Sequence, residues 1–205
     1  MNINFENLVN QVKPRGVIHV GANTCQELPL YLAHGIEHRI WIEPNEKLSF
    51  PKGEYIINVA IGETDAVSFN TYVSSNNGES TSYLKPLKHL QVYEEISFTK
   101  KSITTAICTL ETLMFELGNG KHRDELNYLV LDIQGMELGA LKGLGDFNNH
   151  FDVIITEAYT EELYQNCGKL HEIEAFLSNY KLVEFAEEVG KGWGDAAFIR
   201  KDLLK

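Results

Sequence analysis

The chain lacks any apolar run of about 18 residues, the length a membrane-spanning helix needs, so neither a membrane span nor a membrane partner is expected. It lacks cysteine in pairs. The three present, Cys25, Cys108 and Cys167, are odd in number and widely spaced, which argues against a disulfide framework or a CxxC metal site and suits free thiols in a reducing cytoplasm. It is short of basic residues: 18 Lys and Arg stand against 29 Asp and Glu, a formal charge of -11. That balance disfavours a polyanion such as nucleic acid, and the mild basic density at Lys85, Lys88, Lys100 and Lys101 reads as a solvated face. The opening segment MNINFENLVNQVKPRG has neither a basic start nor an apolar core, so no secretory signal is expected and a cytoplasmic protein is. Repeats and low-complexity tracts are absent too. In bulk the sequence is ordinary, with 205 residues, 43% hydrophobic and 23% charged. That is enough for one globular domain over 1–205 with a sizeable core.

Apolar runs alternate with helical patterns, which argues for an α/β domain with a mostly parallel central sheet. Expected strands are Gly16–Val20, Arg39–Glu43, Tyr55–Ile61, Tyr128–Ile133 and Asp152–Ala158, with helices over Thr24–His34, the LETLMFEL stretch, MELGALKGL and Leu170–Asn179. Near-continuous apolar strands suit burial on both faces. KLVEFAEEV and AAFIRK read as a C-terminal antiparallel pair. Residues 1–15 form a lead-in. Residues 62–110 form an insertion: an edge strand or hairpin arm at Val67–Val73, a polar loop at 74–82, a helix over Leu84–Glu95 and a short strand at Ile103–Thr109. Gly118-Asn119-Gly120 is the expected stop of the helix before it.

The most informative segment is GVIHVGANTCQELPLYLAHGIEHRIWIEPN, Gly16 to Asn45. A strand meets a small-residue turn, a helix follows, and the second strand ends in Glu43. Such a unit can hold an adenosine, because the turn lets a ligand approach the backbone and the acid accepts hydrogen bonds from both ribose hydroxyls. What it lacks is decisive. A dinucleotide turn wants glycine at its first, third and sixth positions, and here Gly21, Asn23 and Gln26 stand there. A pyrophosphate is therefore disfavoured, and with it a nicotinamide oxidoreductase. A ligand without phosphates, such as S-adenosylmethionine, needs only close backbone approach, a polar contact and the ribose acid, which Gly21, Asn23 and Glu43 supply.

A second constellation lies in LDIQGMELGALKG. Asp132 ends a buried strand, Gln134 follows, and Glu137 sits in the first helical turn. Open α/β sheets build their sites at these strand ends. The next strand carries Glu157. Helix capping and a favourable helix-start acid are the plainer roles for Asp132 and Glu137. Asp132 and Glu157 are hard oxygen donors, but two carboxylates do not define a metal site, and no metal is assigned.

VIHVGANTCQE, IWIEPN, NVAIG, NGESTSYL, LVLDIQGMELGALKG, TEAYTEELYQNC and the late GWGDAAFI, taken together from about Gly16 to Arg200, resemble an FkbM-type S-adenosylmethionine-dependent methyltransferase. The resemblance implies a Rossmann-like class I methyltransferase fold with a C-terminal antiparallel strand pair, and methyl transfer to a hydroxyl of a small molecule or sugar. By position it implies cofactor contacts from Gly21, Asn23, Glu43, Ala60, Asp132 and Gln134. It implies an acceptor pocket shaped by Glu137 and a Ser-rich loop that includes Ser80 and Thr81. A hydroxyl acceptor must lose a proton as it attacks. Asp132 is the first candidate to take it and Glu157 the second, with His89 and His171 read as solvated. Trp193 either walls the acceptor or packs over the sheet edge, and loop 74–82 is a lid or a plain surface loop. His19 reads as a core histidine. Cys25, where a third glycine is common, reads as a buried apolar residue or as a narrowing of the pocket. The alternative function is a catalytically degenerate fold that binds the cofactor or a partner.

Overall fold

A computed structural model of the chain describes residues 1–67, 69–103, 106–118 and 121–204. The expected strand residues Ser68, Thr104 and Thr105, and the expected helix stop at Asn119 and Gly120, lie outside the described residues. In chain order the elements are α1 (Phe5–Gln11), β1 (Gly16–Val20), α2 (Leu28–Ala33), β2 (His38–Ile42), β3 (Ile56–Ile57), β4 (Ala60–Ile61) and β5 (Phe69–Ser74). Then come α3 (His89–Val92), β6 (Phe98–Ile103), β7 (Ile107–Cys108), α4 (Leu110–Glu116), α5 (Lys121–Glu125) and β8 (Tyr128–Leu131). The chain closes with α6 (Glu137–Lys142), β9 (Val153–Tyr159), α7 (Leu170–Phe176), β10 (Tyr180–Glu188) and β11 (Trp193–Arg200).

Seven strands form the main sheet in the order β10-β11-β9-β8-β1-β2-β3. The β3–β2–β1–β8–β9 block is parallel, and β11 runs antiparallel to both β9 and β10. This is an α/β class I methyltransferase arrangement. Alternation along the strands sorts two cores. Ile18, Leu129, Leu131 and Ile154 face α4, α6 and α7. Val17, Tyr128, Val130 and Ile155 face α1 and α2. The strand order reverses between β1 and β8, which opens a crevice at their carboxyl ends, where open α/β sheets take ligands.

The lead-in is folded. The Asn4 side chain caps α1 by accepting from the Asn7 amide at 3.0 Å, and Phe5 packs on Tyr31 and Tyr128.

Several expected boundaries shift for identifiable reasons. The helix after β1 starts at Leu28 rather than Thr24, because Asn23 (φ 44°) and Cys25 (φ 59°) are left-handed and helical φ is negative. The apolar run IINVAI is broken at Asn58, whose amide donates to the Glu43 carbonyl at 3.0 Å. Ile56–Ile57 then pair with β2 while Ala60–Ile61 cross to β7. The expected helix over Leu84–Glu95 shrinks to four residues. Pro86 carries no N–H to continue a helix, and the amides of Leu87 and His89 both donate to the Leu163 carbonyl instead. The insertion builds an antiparallel β5–β6 ribbon. It is bound to the sheet through Ser82 Oγ, which donates to the Gln134 carbonyl at 2.6 Å.

Candidate active site

At the β1–β8 crevice lies a cavity of about 1190 Å³, larger than the roughly 300–1,000 Å³ of a typical single-ligand pocket. Its wall includes Gly21, Asn23, Glu43, Ala60, Asp132, Gln134, Glu157, Ser80, Thr81 and Trp193, so the structure brings nearly all the expected residues together.

The first half is built on β1 and β2. The amides of Gly21 and Ala22 donate to the Ile42 carbonyl at 2.9 and 3.0 Å, and the Asp132 amide donates to Val20 at 3.0 Å. Gly21 has φ 84°, and a Cβ there would overlap the Asp132 carbonyl. Glycine is thus needed twice at this position, for its dihedral and for the close approach. Glu43, buried at the end of β2, accepts from the Asn23 amide through Oε2 (3.0 Å) and from the Asn45 amide through Oε1 (2.9 Å). Each oxygen keeps a lone pair for a ligand hydroxyl. Burial raises its pKa, which the two amides oppose and the nearby Asp132 charge reinforces.

The second half centres on the turn after β8. Gln134 is left-handed, φ 54°. Its Nε2 donates to Asp132 Oδ1 (2.8 Å) and to Glu157 Oε2 (3.2 Å), while its Oε1 accepts from Tyr164 OH (2.8 Å). One amide therefore bridges the two carboxyl groups. Asp132 is open to the cavity, with protein on its other sides. Desolvation pushes its pKa up to about 6, helped by Asp195 and opposed by Gln134. Glu157 is more enclosed. Burial, with the charges of Asp132 and Glu137, drives its pKa well above the ordinary carboxyl range, although Tyr159 OH donates to Oε2. The two environments separate the pair into a group that ionises near neutrality and one that holds its proton.

Glu137 corrects an expectation. It is 1% exposed and absent from the cavity wall. Its carboxyl turns back to accept from the amides of Ile133 (2.9 Å) and Gly135 (3.0 Å), stapling the Gln134 turn. Burial outweighs these donors and raises its pKa to about 8. The folded state therefore binds this proton more tightly than the unfolded chain. Its contribution is fully present below about pH 4.3 and is lost as pH rises to about 8, at up to about 1.4 kcal/mol per pH unit. The melting temperature of the ligand-free protein should fall between pH 5 and pH 8. Glu137→Gln should flatten that slope, and an unchanged slope in the variant would assign it to other groups.

Ser80 and Thr81 sit in a loop knit by its own hydrogen bonds. Ser80 N donates to Ser74 Oγ at 3.1 Å, Ser74 N donates to Thr81 Oγ1 at 3.2 Å, and the Ser80 carbonyl accepts from Tyr164 OH at 3.2 Å. Trp193 lines the cavity and also packs at the sheet edge, its Nε1 donating to Tyr93 OH at 2.9 Å. Cys25 does not narrow the pocket. It is buried in the α1–α2 core, off the cavity wall, and burial with three nearby carboxylates pushes its pKa up to about 12. His19 is a core residue, stacked on Trp41 and bonded through Nδ1 to Tyr31 OH at 2.8 Å, with burial lowering its pKa to about 3. His171 is exposed on α7. His89 overturns its expected exposure: it is 3% exposed and lines the cavity. The Tyr164 ring and the Leu163 carbonyl that hold it there come from a segment far along the chain, so no local pattern marks it. Among the described residues no cluster of three or more metal-ligating side chains occurs, and no helix is long and apolar enough to cross a membrane.

The family model described as "Methyltransferase FkbM domain" matches residues 19–183. Among solved structures, the chain is similar to magnesium protoporphyrin IX methyltransferase from Synechocystis PCC 6803, crystallised with bound SAM. The two are 10% identical with a TM-score of 0.46, and the similarity covers 94% of this chain and 74% of that one. No curated protein matches the chain.

Proposed function

We propose that this chain, which belongs to the FkbM methyltransferase family, methylates a hydroxyl oxygen of a small molecule or sugar, using S-adenosylmethionine. The observation that carries this reading is a single cavity walled by both Glu43 and Asp132, one shaped to accept a diol and the other to accept a proton. The residues fit the cofactor. Gly21 gives a side-chain-free approach at the strand crossing, the Glu43 oxygens face outward from their amide clamps, and Ala60 and Val59 offer an apolar wall for a base. When bound, the cofactor supplies an electrophilic methyl group on a sulfonium.

The protein then has two tasks. It holds the acceptor hydroxyl in line and excludes water, a task to which loop 74–82 contributes from over the cavity. It also removes the hydroxyl proton as the oxygen attacks. Asp132 takes that proton, because its pKa of about 6 leaves it largely ionised at neutral pH while still basic enough to compete for a proton. Glu157 keeps its own proton. Both protein donors to it converge on Oε2, which leaves Oε1 to carry that proton and to donate to the acceptor. Gln134 holds the two carboxyl groups apart in role and together in space.

Thermal shift with S-adenosylmethionine, S-adenosylhomocysteine and NAD tests the reading. The two sulfur ligands should stabilise the protein. Stabilisation by NAD alone would overturn the assignment, and cofactor binding without transfer to any of a broad hydroxyl panel would point to a binding module instead. Glu43→Ala should weaken S-adenosylhomocysteine binding about 10- to 100-fold by removing two hydrogen bonds to a carboxylate. Calorimetric titration reads this directly, and an unchanged Kd would remove Glu43 from the site.

A further inference from the structure

One end of the cavity is an aromatic chamber that the cofactor does not explain. His89 opens α3 with its ring 4.9 Å from Tyr93, 5.1 Å from Phe98 and 5.3 Å from Tyr164. Trp193 joins the group by donating to Tyr93. The polar tips of the chamber are mostly satisfied: Tyr164 bonds Gln134 and Ser80, Tyr159 bonds Glu157, and Trp193 bonds Tyr93. His89 Nδ1 is not. It is one of three buried side-chain polar atoms without a partner among the described residues, and a second, Thr71 Oγ1, also belongs to a residue of the cavity wall. An unpaired buried polar group costs about 1–3 kcal/mol and asks for a reason. Here two such groups fall at the cavity rather than in the sheet core.

The charge of this end narrows what fits. Asp132, Glu157 and Asp195 all line the cavity. Of the cations at the cavity wall, Lys47 and Lys101 are exposed to solvent and the Met1 ammonium pairs with Glu27 at 4.0 Å, while Lys191 stacks on the Tyr93 ring at 4.7 Å without reaching the wall. A carboxylate or phosphate would enter beside the Asp132 and Asp195 carboxylates. Burial depresses the His89 pKa, which keeps the imidazole uncharged. A neutral imidazole nitrogen donates or accepts according to tautomer, which suits a hydroxyl. Aromatic faces suit the apolar face of a ring.

We propose that this chamber is the acceptor subsite, that it takes an uncharged hydroxylated ring, and that His89 hydrogen-bonds one of that ring's hydroxyls. The proposal rests on the methyl-transfer reading for the reaction, but its geometry is testable separately.

Phenyl β-D-glucopyranoside and phenyl β-D-glucuronide offer the same rings and differ by a carboxylate. Calorimetric titration of each into the full chain, with and without saturating S-adenosylhomocysteine, should show the glucoside binding at least about tenfold tighter, the difference set by bringing a carboxylate beside the Asp132 and Asp195 carboxylates. His89→Leu should weaken the glucoside about tenfold by removing its hydrogen bond, His89→Gln should restore most of it, and both variants should bind S-adenosylhomocysteine as the parent does. Absent glucoside binding, a glucuronide that binds as tightly, or a Leu variant with unchanged glucoside affinity while S-adenosylhomocysteine still binds would overturn the subsite. Failure of S-adenosylhomocysteine itself to bind would instead overturn the methyl-transfer reading, and the titrations without it would still decide the chamber.

Discussion

Gly21→Ala should destabilise the ligand-free protein by more than about 3 kcal/mol, while Gly53→Ala should do so by only about 1 kcal/mol. Both glycines are left-handed, with φ 84° and 94°, so both variants carry the dihedral strain. They differ in what surrounds the added methyl. At Gly53 nothing lies within 4 Å, whereas at Gly21 the Cβ overlaps the Asp132 carbonyl. That carbonyl is backbone at the end of a central strand, with the Asp132 amide held by Val20, so it cannot swing aside as a side chain would. Relief requires β1 and β8 to part where they are buried on both faces. At this chain length 1 kcal/mol shifts the melting temperature by roughly 2–4 °C, so the pair should differ clearly in a thermal melt. Equal losses would mean that the dihedral alone makes Gly21 necessary. Any folded Gly21→Ala protein should also bind cofactor poorly, since the methyl displaces the turn that lines the site.

Asp132→Asn should lower turnover by about 10²–10⁴-fold, the usual worth of a positioned base, and leave cofactor affinity within about threefold, because Glu43 and the Gly21 turn are untouched. Asparagine keeps the size of the side chain and an oxygen for the Gln134 amide, so the loss would belong to proton removal and not to packing. The pH profile supplies an independent sign. A base must be ionised to act, so kcat/KM should rise tenfold per pH unit below about 6 and level off above it, following the Asp132 pKa. The variant should lose that limb. Parental turnover in the variant would take Asp132 out of the chemistry. A surviving limb near pH 6 would move the titration to another group.

What could be read from residue order, and what could not, divides along physical lines. β1, β8 and β9 stand out because they are buried on both faces and need uninterrupted apolar runs. Asp132, the acid that follows β8, is visible for the same reason, since the first polar residue after such a run sits at the sheet's ligand edge, whereas Glu157 lies within β9. The run at Ile56–Ile61 misleads because an apolar stretch records burial and says nothing of which sheet buries it. Only the Asn58 side chain, anchored on the Glu43 carbonyl, marks the change of sheet. The segment from Leu84 misleads because its backbone bonds go to Leu163 and Gln165, partners nearly eighty residues away. The sequence puts Glu137 in the right turn, but its carboxyl folds back onto the amides around the left-handed Gln134, whose dihedral no composition records.

The reversed strand β11 has a consequence for the order in which the molecule is made. Because it runs against its neighbours, its first residues, Trp193 and Asp195, arrive at the same edge as the last residues of β1 and β8. The ribosome therefore releases the β1–β2 half of the cavity, with Gly21 and Glu43, long before its far wall. A nascent or truncated chain that stops short of residue 193 has the β1–β2 turn, both carboxyl groups of the bridge, and an unpaired β9 edge open to other strands. The β10–β11 hairpin finishes the pocket and covers the β9 edge in one event, which ties the appearance of a complete site to the pairing of an otherwise open strand.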